Sequence, residues 1–299
     1  MKKKVDYIII GAQKAGTTSL HDLLVQHQKV STSLLKENTF FSRDSEYQKG
    51  LKYFKKLFPK NIPSENVLGT SDVQLLSSEK GVKRVYEYNP SVKIIVLLRN
   101  PVDRAYSAYN FAIQQERETD EISFEQRFIE FSQKDLNNYK RDETALFDYF
   151  YDSFYGLHLN RWASVFSKEN IFVCTTNELR QTPQLLLNRI FGFLGIPKSE
   201  INEIKKSNVT GKQRFGKLQK IFFNGDNKYI TKLGSLFGVK TRLWIRKHII
   251  QKFLEKTFIE VELPKLDTEL RDEITNIYKT DLNILESDYN ISFDMNKHH

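Results

Sequence analysis

The chain has 299 residues, 39% of them hydrophobic, which suffices for the core of one large α/β domain or two small ones. Its 46 Lys and Arg outnumber 37 Asp and Glu for a net charge of +9, a balance that suits a polyanionic nucleotide. The acids are mixed in and no recognised reader motif stands out, so no nucleic-acid partner is implied; a single cysteine excludes an internal disulfide framework and fits a reducing compartment. The basic Met1-Lys-Lys-Lys start precedes an apolar run shorter than a signal peptide's, and no stretch reaches transmembrane length. The chain therefore reads as cytoplasmic, or as a piece of a longer protein.

Tyr7 to Ile10 is a short β-branched run and predicts a buried strand. Gly11 to Gly16 forms a glycine-bounded turn, and Thr17-Thr18-Ser19 opens an amphipathic helix to about His27. Together they make an anion site: first-turn N–H groups point outward, the helix dipole adds positive charge, and glycines let the backbone close around a phosphate. The spacing resembles the Walker A pattern G-x-x-x-x-G-K-[ST], but Thr17-Thr18 follow Gly16, and the loop's lysine, Lys14, comes earlier. A nucleoside triphosphatase needs its lysine at the later position, so the loop argues for phosphate binding and against ordinary ATP hydrolysis.

Next comes Val30 to Phe41, with Lys36, Glu37 and the pair Phe40-Phe41. Tyr47, Tyr53, Phe54 and Phe58 predict a short helix packing its aromatics, closed by a turn at Pro59 to Pro63. Val67 to Leu75 reads as a strand and loop, and residues 77–88 as a helix stopped by Asn89-Pro90. Lys93 to Leu98 is a buried parallel strand, and its end at Arg99 falls where α/β sheets bind ligands. Pro101 and Asp103 suit the first turn of the following helix, while Arg104 is either a second cation or simply exposed.

Residues 115–143 are charged and predict a mobile, partly helical insertion over an acceptor cleft. Ala145 to Phe166 predicts one long aromatic helix, Ile171 to Thr175 a buried strand with Cys174 in the core, and Thr182 to Leu194 a helix ending at Gly195. Ser207 to Gly216 reads as a loop. From Phe215 to Lys256, ten Lys and Arg face two acids, interleaved with Phe, Leu, Ile and Trp244. That stretch is either a helical hairpin with solvated lysines or a basic face for an anionic membrane or an acidic glycan. Leu266 to Tyr289 predicts an amphipathic helix packing back on the core.

Two motifs in order, Ile10-Gly-Ala-Gln-Lys-Ala-Gly-Thr-Thr-Ser-Leu20 and Ile94-Ile-Val-Leu-Leu-Arg-Asn-Pro-Val-Asp-Arg-Ala-Tyr-Ser-Ala-Tyr109, resemble those of sulfotransferases that use 3′-phosphoadenosine 5′-phosphosulfate (PAPS). The resemblance, to the carbohydrate (heparan sulfate) and bacterial branch, covers residues 5 to 200 well and the rest loosely. It implies one α/β domain over 1–299 with a P-loop-like three-layer fold: a central parallel sheet flanked by helices as nucleotide-binding core over about 1–200, and a basic helical part over about 201–299. It further implies that Gln13, Lys14, Ala15, Gly16, Thr17, Thr18 and Ser19 hold the donor's 5′-phosphosulfate end, and Arg99 and Ser107 its 3′-phosphate. Arg214, in a loop similar to one that closes over that phosphate in relatives, joins them. Glu37 with Phe40-Phe41 matches the family's catalytic glutamate before an aromatic pair, though Thr39 stands where histidine is common. Lys36, Ser71 and His158 are candidate acceptor contacts, each with a plain alternative: a surface lysine, a weak match and a structural histidine. Around Ser71 the match to the family's Glu-Lys-Ser/Thr-Pro segment is poor, with Thr70 and Asp72 in place of lysine and proline. The reaction implied is sulfuryl transfer from PAPS to a hydroxyl or amine of a glycan or glycolipid, leaving 3′-phosphoadenosine 5′-phosphate (PAP), without a metal. A P-loop phosphotransferase and a non-catalytic nucleotide- or glycan-binding protein remain the alternatives.

Overall fold

The computed structural model describes residues 3–115, 117–136, 138–142, 145–201, 211–213, 258–260 and 265–295. Two compact units emerge, one from residues 1–108, 123–208 and 265–299, the other from 109–122 and 209–264. The first is built on five parallel strands in the order β2-β3-β1-β4-β5. These are β1 (Tyr7–Gly11), β2 (Val30–Thr32), β3 (Val67–Ser71), β4 (Lys93–Leu98) and β5 (Ile171–Thr175). Every residue of β1 is buried, as the continuous apolar run requires of a strand covered on both faces.

Helices α1 (Thr17–Leu24), α4 (Glu79–Tyr88) and α5 (Pro101–Gln114) follow β1, β3 and β4 respectively. The expected single helix after Ser42 is two, α2 (Asp44–Tyr47) and α3 (Gly50–Lys56), with Phe54 ringed by Phe40, Phe41, Phe58 and Tyr88. Two expectations between 115 and 166 need correction. Ser123 and Gln126 form a capping box that starts α6 (Phe124–Ser132), and its Phe124, Phe128 and Phe131 pack on Phe150. Residues 123–132 are thus part of the first unit's packing and not a loose insertion. The long aromatic helix is shorter: a 3₁₀ turn at Tyr151–Ser153 is followed by α7 (Tyr155–Ala163).

Beyond β5 the sequence reading missed α8 (Thr176–Gln181), which a second capping box, Thr175 with Glu178, initiates; α9 (Pro183–Leu194) then ends on Gly195 with φ 75°, as expected. The C-terminal helix α10 (Thr268–Tyr289) belongs to the first unit, packing back on it as expected. Asp281 on α10 accepts the N–H groups of Gly156 (2.8 Å) and Leu157 (2.7 Å), capping α7 from a distant part of the sequence. In the second unit β6 (Gly211–Gln213) runs antiparallel to β7 (Phe258–Glu260), a pairing in a stretch read as loop and helix. Among the described residues no helix is long and apolar enough to cross a membrane; the basic stretch 215–256 lies outside them.

Candidate active site

The site grows from the end of β1. Gly11 has φ +149°, and a Cβ there would come within 2.9 Å of Leu76, so the sharp exit from the strand needs glycine. Ala12 N–H donates to Leu97 O (2.7 Å), pinning the loop's first residue to β4. Lys14 and Gly16 are both left-handed, with φ 70° and 99°. Such alternation turns successive amides toward one concave face. Gly16 then caps α1 with no side-chain bond and no acidic residue in the first turn, so no carboxylate of that turn competes with an anion at the positive end of the helix dipole.

Thr176, at the start of α8, places its hydroxyl 2.6 Å from Ala15 O and 3.1 Å from Leu98 O, tying the loop's far end to β4 and β5. Arg99 Nη1 donates to Lys14 O at 3.4 Å. Burial first, then the neighbouring Arg99 charge, lowers the Lys14 ammonium to about 8, and the Glu37 carboxylate partly opposes this. Arg99 is itself pushed down, chiefly by burial. Lys14, Arg99 and Glu37, spread over the sequence, therefore share one electrostatic neighbourhood. Glu37 is solvent-exposed.

Around these groups the remaining candidates separate. Thr17 is buried and Thr18 and Ser19 half-buried in the first turn of α1. Ser107 is buried on α5, whose N-terminus Asn100 caps by accepting from Val102 N–H (3.0 Å) and Asp103 N–H (3.2 Å). Lys36 pairs with Asp22 at 2.6 Å, which favours its plain alternative. Ser71 is 1% exposed and His158 fully buried, so neither offers an open face to an acceptor. His158 Nε2 lies 2.9 Å from Tyr151 O, and burial pushes the ring down to about 3, which makes it a neutral structural histidine. Arg104 is neither exposed nor a site cation: it is wholly buried and donates to Ser153 Oγ (2.6 Å) and to Tyr149 O. Arg214 lies outside the described residues.

A cleft of about 290 Å³ opens at the carboxyl ends of β4 and β5, lined by Arg99, Asn100, Thr175, Thr176, Arg180 and Phe293 among others. The sequence reading missed Thr176, Arg180 and the 292–294 segment. The Thr-x-x-Glu capping box at 175–178 would have located the first two; only the fold brings the third.

Comparison with known proteins agrees with this geometry. The sulfotransferase-domain family matches residues 4–283. The mouse bifunctional heparan sulfate N-deacetylase/N-sulfotransferase 4 is 29% identical over 202 residues, which are 64% of this chain and 22% of that protein. The mouse heparan sulfate glucosamine 3-O-sulfotransferase 5 is 28% identical over 193 residues, 64% of this chain and 53% of that protein. The chain thus spans about half or less of these relatives. A crystal structure of a sulfotransferase from Alicyclobacillus acidocaldarius superposes with TM-score 0.67 at 21% identity, covering 97% of this chain and 98% of that one, and so shares the fold. With the family match running over nearly its whole length, the chain belongs to the sulfotransferase family.

Proposed function

We propose that this protein transfers the sulfuryl group of PAPS to a hydroxyl or amine of a carbohydrate acceptor. The observation that carries the reading is the convergence of Lys14, Arg99 and Glu37 at an open helix N-terminus. Acceptors in the names of the relatives, heparan sulfate glucosamines, make a glycan the favoured class. The 5′-phosphosulfate end sits on the amides of residues 13–19, and Arg99, with Ser107, takes the 3′-phosphate, where the guanidinium's planar fork suits phosphate oxygens. The β4–β5 cleft receives the nucleoside end.

In the reaction the acceptor oxygen or nitrogen attacks sulfur while Glu37 removes its proton. The bond from sulfur to the 5′-phosphate oxygen breaks, and the charge gathering on that oxygen meets the Lys14 ammonium and the first-turn N–H groups, already aimed at it. PAP leaves, and the acceptor carries the sulfate. Binding both reactants in line supplies much of the remaining acceleration. No lysine follows Gly16 to reach a γ-phosphate, which sets this site apart from a phosphotransferase.

The test is transfer of labelled sulfate from PAPS to N-desulfated heparin and to unsulfated heparosan oligosaccharides, with Lys14→Ala and Glu37→Gln as controls. Transfer lost in both variants supports the reading. Wild-type turnover of ATP with magnesium and none of PAPS would overturn it.

A further inference from the structure

The loop carrying Glu37 is held by a buried polar lattice at the end of β3. Asn38 N–H donates to Ser71 O (2.9 Å), and Asn38 Nδ2 donates to Thr70 Oγ1 (2.5 Å), which also lies 3.1 Å from Ser33 Oγ. One residue further on, Asp72 accepts from Ser42 Oγ (2.9 Å) and from Ser42 N–H (3.2 Å), while its own N–H donates to Ile9 O (2.9 Å) on β1. Ser33, Asn38, Ser42, Thr70 and Asp72 are all buried. Glu37 and Asp72 therefore each lie one residue from the bonded pair Asn38–Ser71, the first exposed and the second buried.

Resting on the sulfotransferase reading, we propose that Asp72 is a positioning residue of this site. It ties the Glu37 loop to β3 through Ser42 and sets a second carboxylate beside Glu37. Burial, opposed by the Ser42 bonds and reinforced by the Glu37 charge, raises Asp72 to about 7. Asp72 holds its proton to about neutrality, so the Glu37 charge acts on Asp72, and an Asp72 charge is present beside the loop only above that pH. The charged groups around the pair are few. Lys14 faces Glu37 from the phosphate loop, with Arg99 behind it, and Arg43 reaches Gln74, whose backbone N–H bonds Asp72. Lys36 is turned to Asp22. Ser42 is the joint, since one hydroxyl and one N–H fix the loop's far end while Asn38 fixes the near end.

Side-chain carboxyl carbon-13 NMR of the full chain, titrated from acid to mildly alkaline pH, reads both groups without an acceptor. Asp72 is expected to titrate near neutrality. In Glu37→Gln, at an exposed position, the Asp72 midpoint should fall by about half a unit, because the Glu37 charge that raises it is gone. Asp72→Ala frees Ser42 and should lower kcat for sulfate transfer to N-desulfated heparin about 10-fold or more at unchanged PAP affinity, while Asp72→Asn, which keeps an acceptor for Ser42, should restore most of it. A purely structural Asp72 would lower stability and leave kcat, and its own midpoint in Glu37→Gln, where they are. An Asp72 midpoint unmoved in Glu37→Gln, or a kcat unmoved in Asp72→Ala, overturns the proposal. Failure of the wild type to bind PAP would instead count against the sulfotransferase reading and leave the titrations standing.

Discussion

Lys14 is a loop lysine with a left-handed backbone, mostly buried and facing Arg99, so its charge is held at a cost. Its proton affinity is lowered to about 8, and the charged form, which the proposed hold on phosphate needs, dominates below that pH and fades above it. PAP affinity measured by calorimetry should therefore decline as pH rises past about 8 in the wild type, and stay flat in Lys14→Arg, whose guanidinium keeps its charge. A wild-type affinity independent of pH across that range would contradict the role. Lys14→Ala should lower the transfer rate about 100-fold or more, the usual cost of removing one preorganised partner of a developing anion. At this scale the sequence was informative where spacing dictates chemistry: the Gly-x-x-Lys-x-Gly-Thr-Thr loop and the arginine ending β4 were both legible. It misled at Arg104 and left His158 with two readings, because periodicity marks where apolar residues face the core and does not say that a polar side chain on that face is buried with backbone partners.

Capping decides where the elements around the site begin. Ser123 with Gln126 and Thr175 with Glu178 start α6 and α8 by local sequence alone, and both signals could have been read from the chain. The start of α7 could not, since its cap comes from Asp281, more than a hundred residues away. Without a local cap the run from Ala145 looked continuous, which explains the overlong helix expected there. Burial raises the Asp281 carboxyl to about 6, above its unfolded value, so its contribution is largest in acid and is lost as pH rises through that value. Asp281→Ala should lower the Tm by roughly 2–4 °C, about 1 kcal/mol for a lost cap in a chain of this size. The gap from wild type should be wider at about pH 4.5 than at about pH 7.5. A gap that widened with pH would mean the cap acts mainly as an anion.

Across the first unit, distant parts of the chain are sewn together beside the β4–β5 cleft. Arg271 on α10 pairs with Asp103 on α5 with both side chains nearly inaccessible, at 4% and 6% exposed, and its Nη1 donates to Met295 O (3.0 Å). Asn100 Nδ2 donates to Asp294 O (3.3 Å), so the segment after α10 is fastened to the same α5 N-terminus that follows Arg99. Arg271→Ala strands a buried carboxylate and should cost about 3–5 kcal/mol in urea unfolding. An unchanged midpoint would show that water reaches Asp103. The α/β class and its parallel sheet were legible because buried parallel strands are continuous apolar runs. Strand order was not, since it rests on pairings between residues far apart, whereas the return of α10 to this unit was legible in its amphipathic pattern.

A site built for a 3′-phosphorylated adenosine nucleotide should bind PAP, and a thermal shift reads that binding. A ligand that binds only the folded protein raises its Tm by mass action. PAP should stabilise the wild type, less so Lys14→Ala and Arg99→Ala, and more than ATP with magnesium does. Stabilisation by ATP with magnesium over PAP, or a PAP shift indifferent to both substitutions, would contradict it.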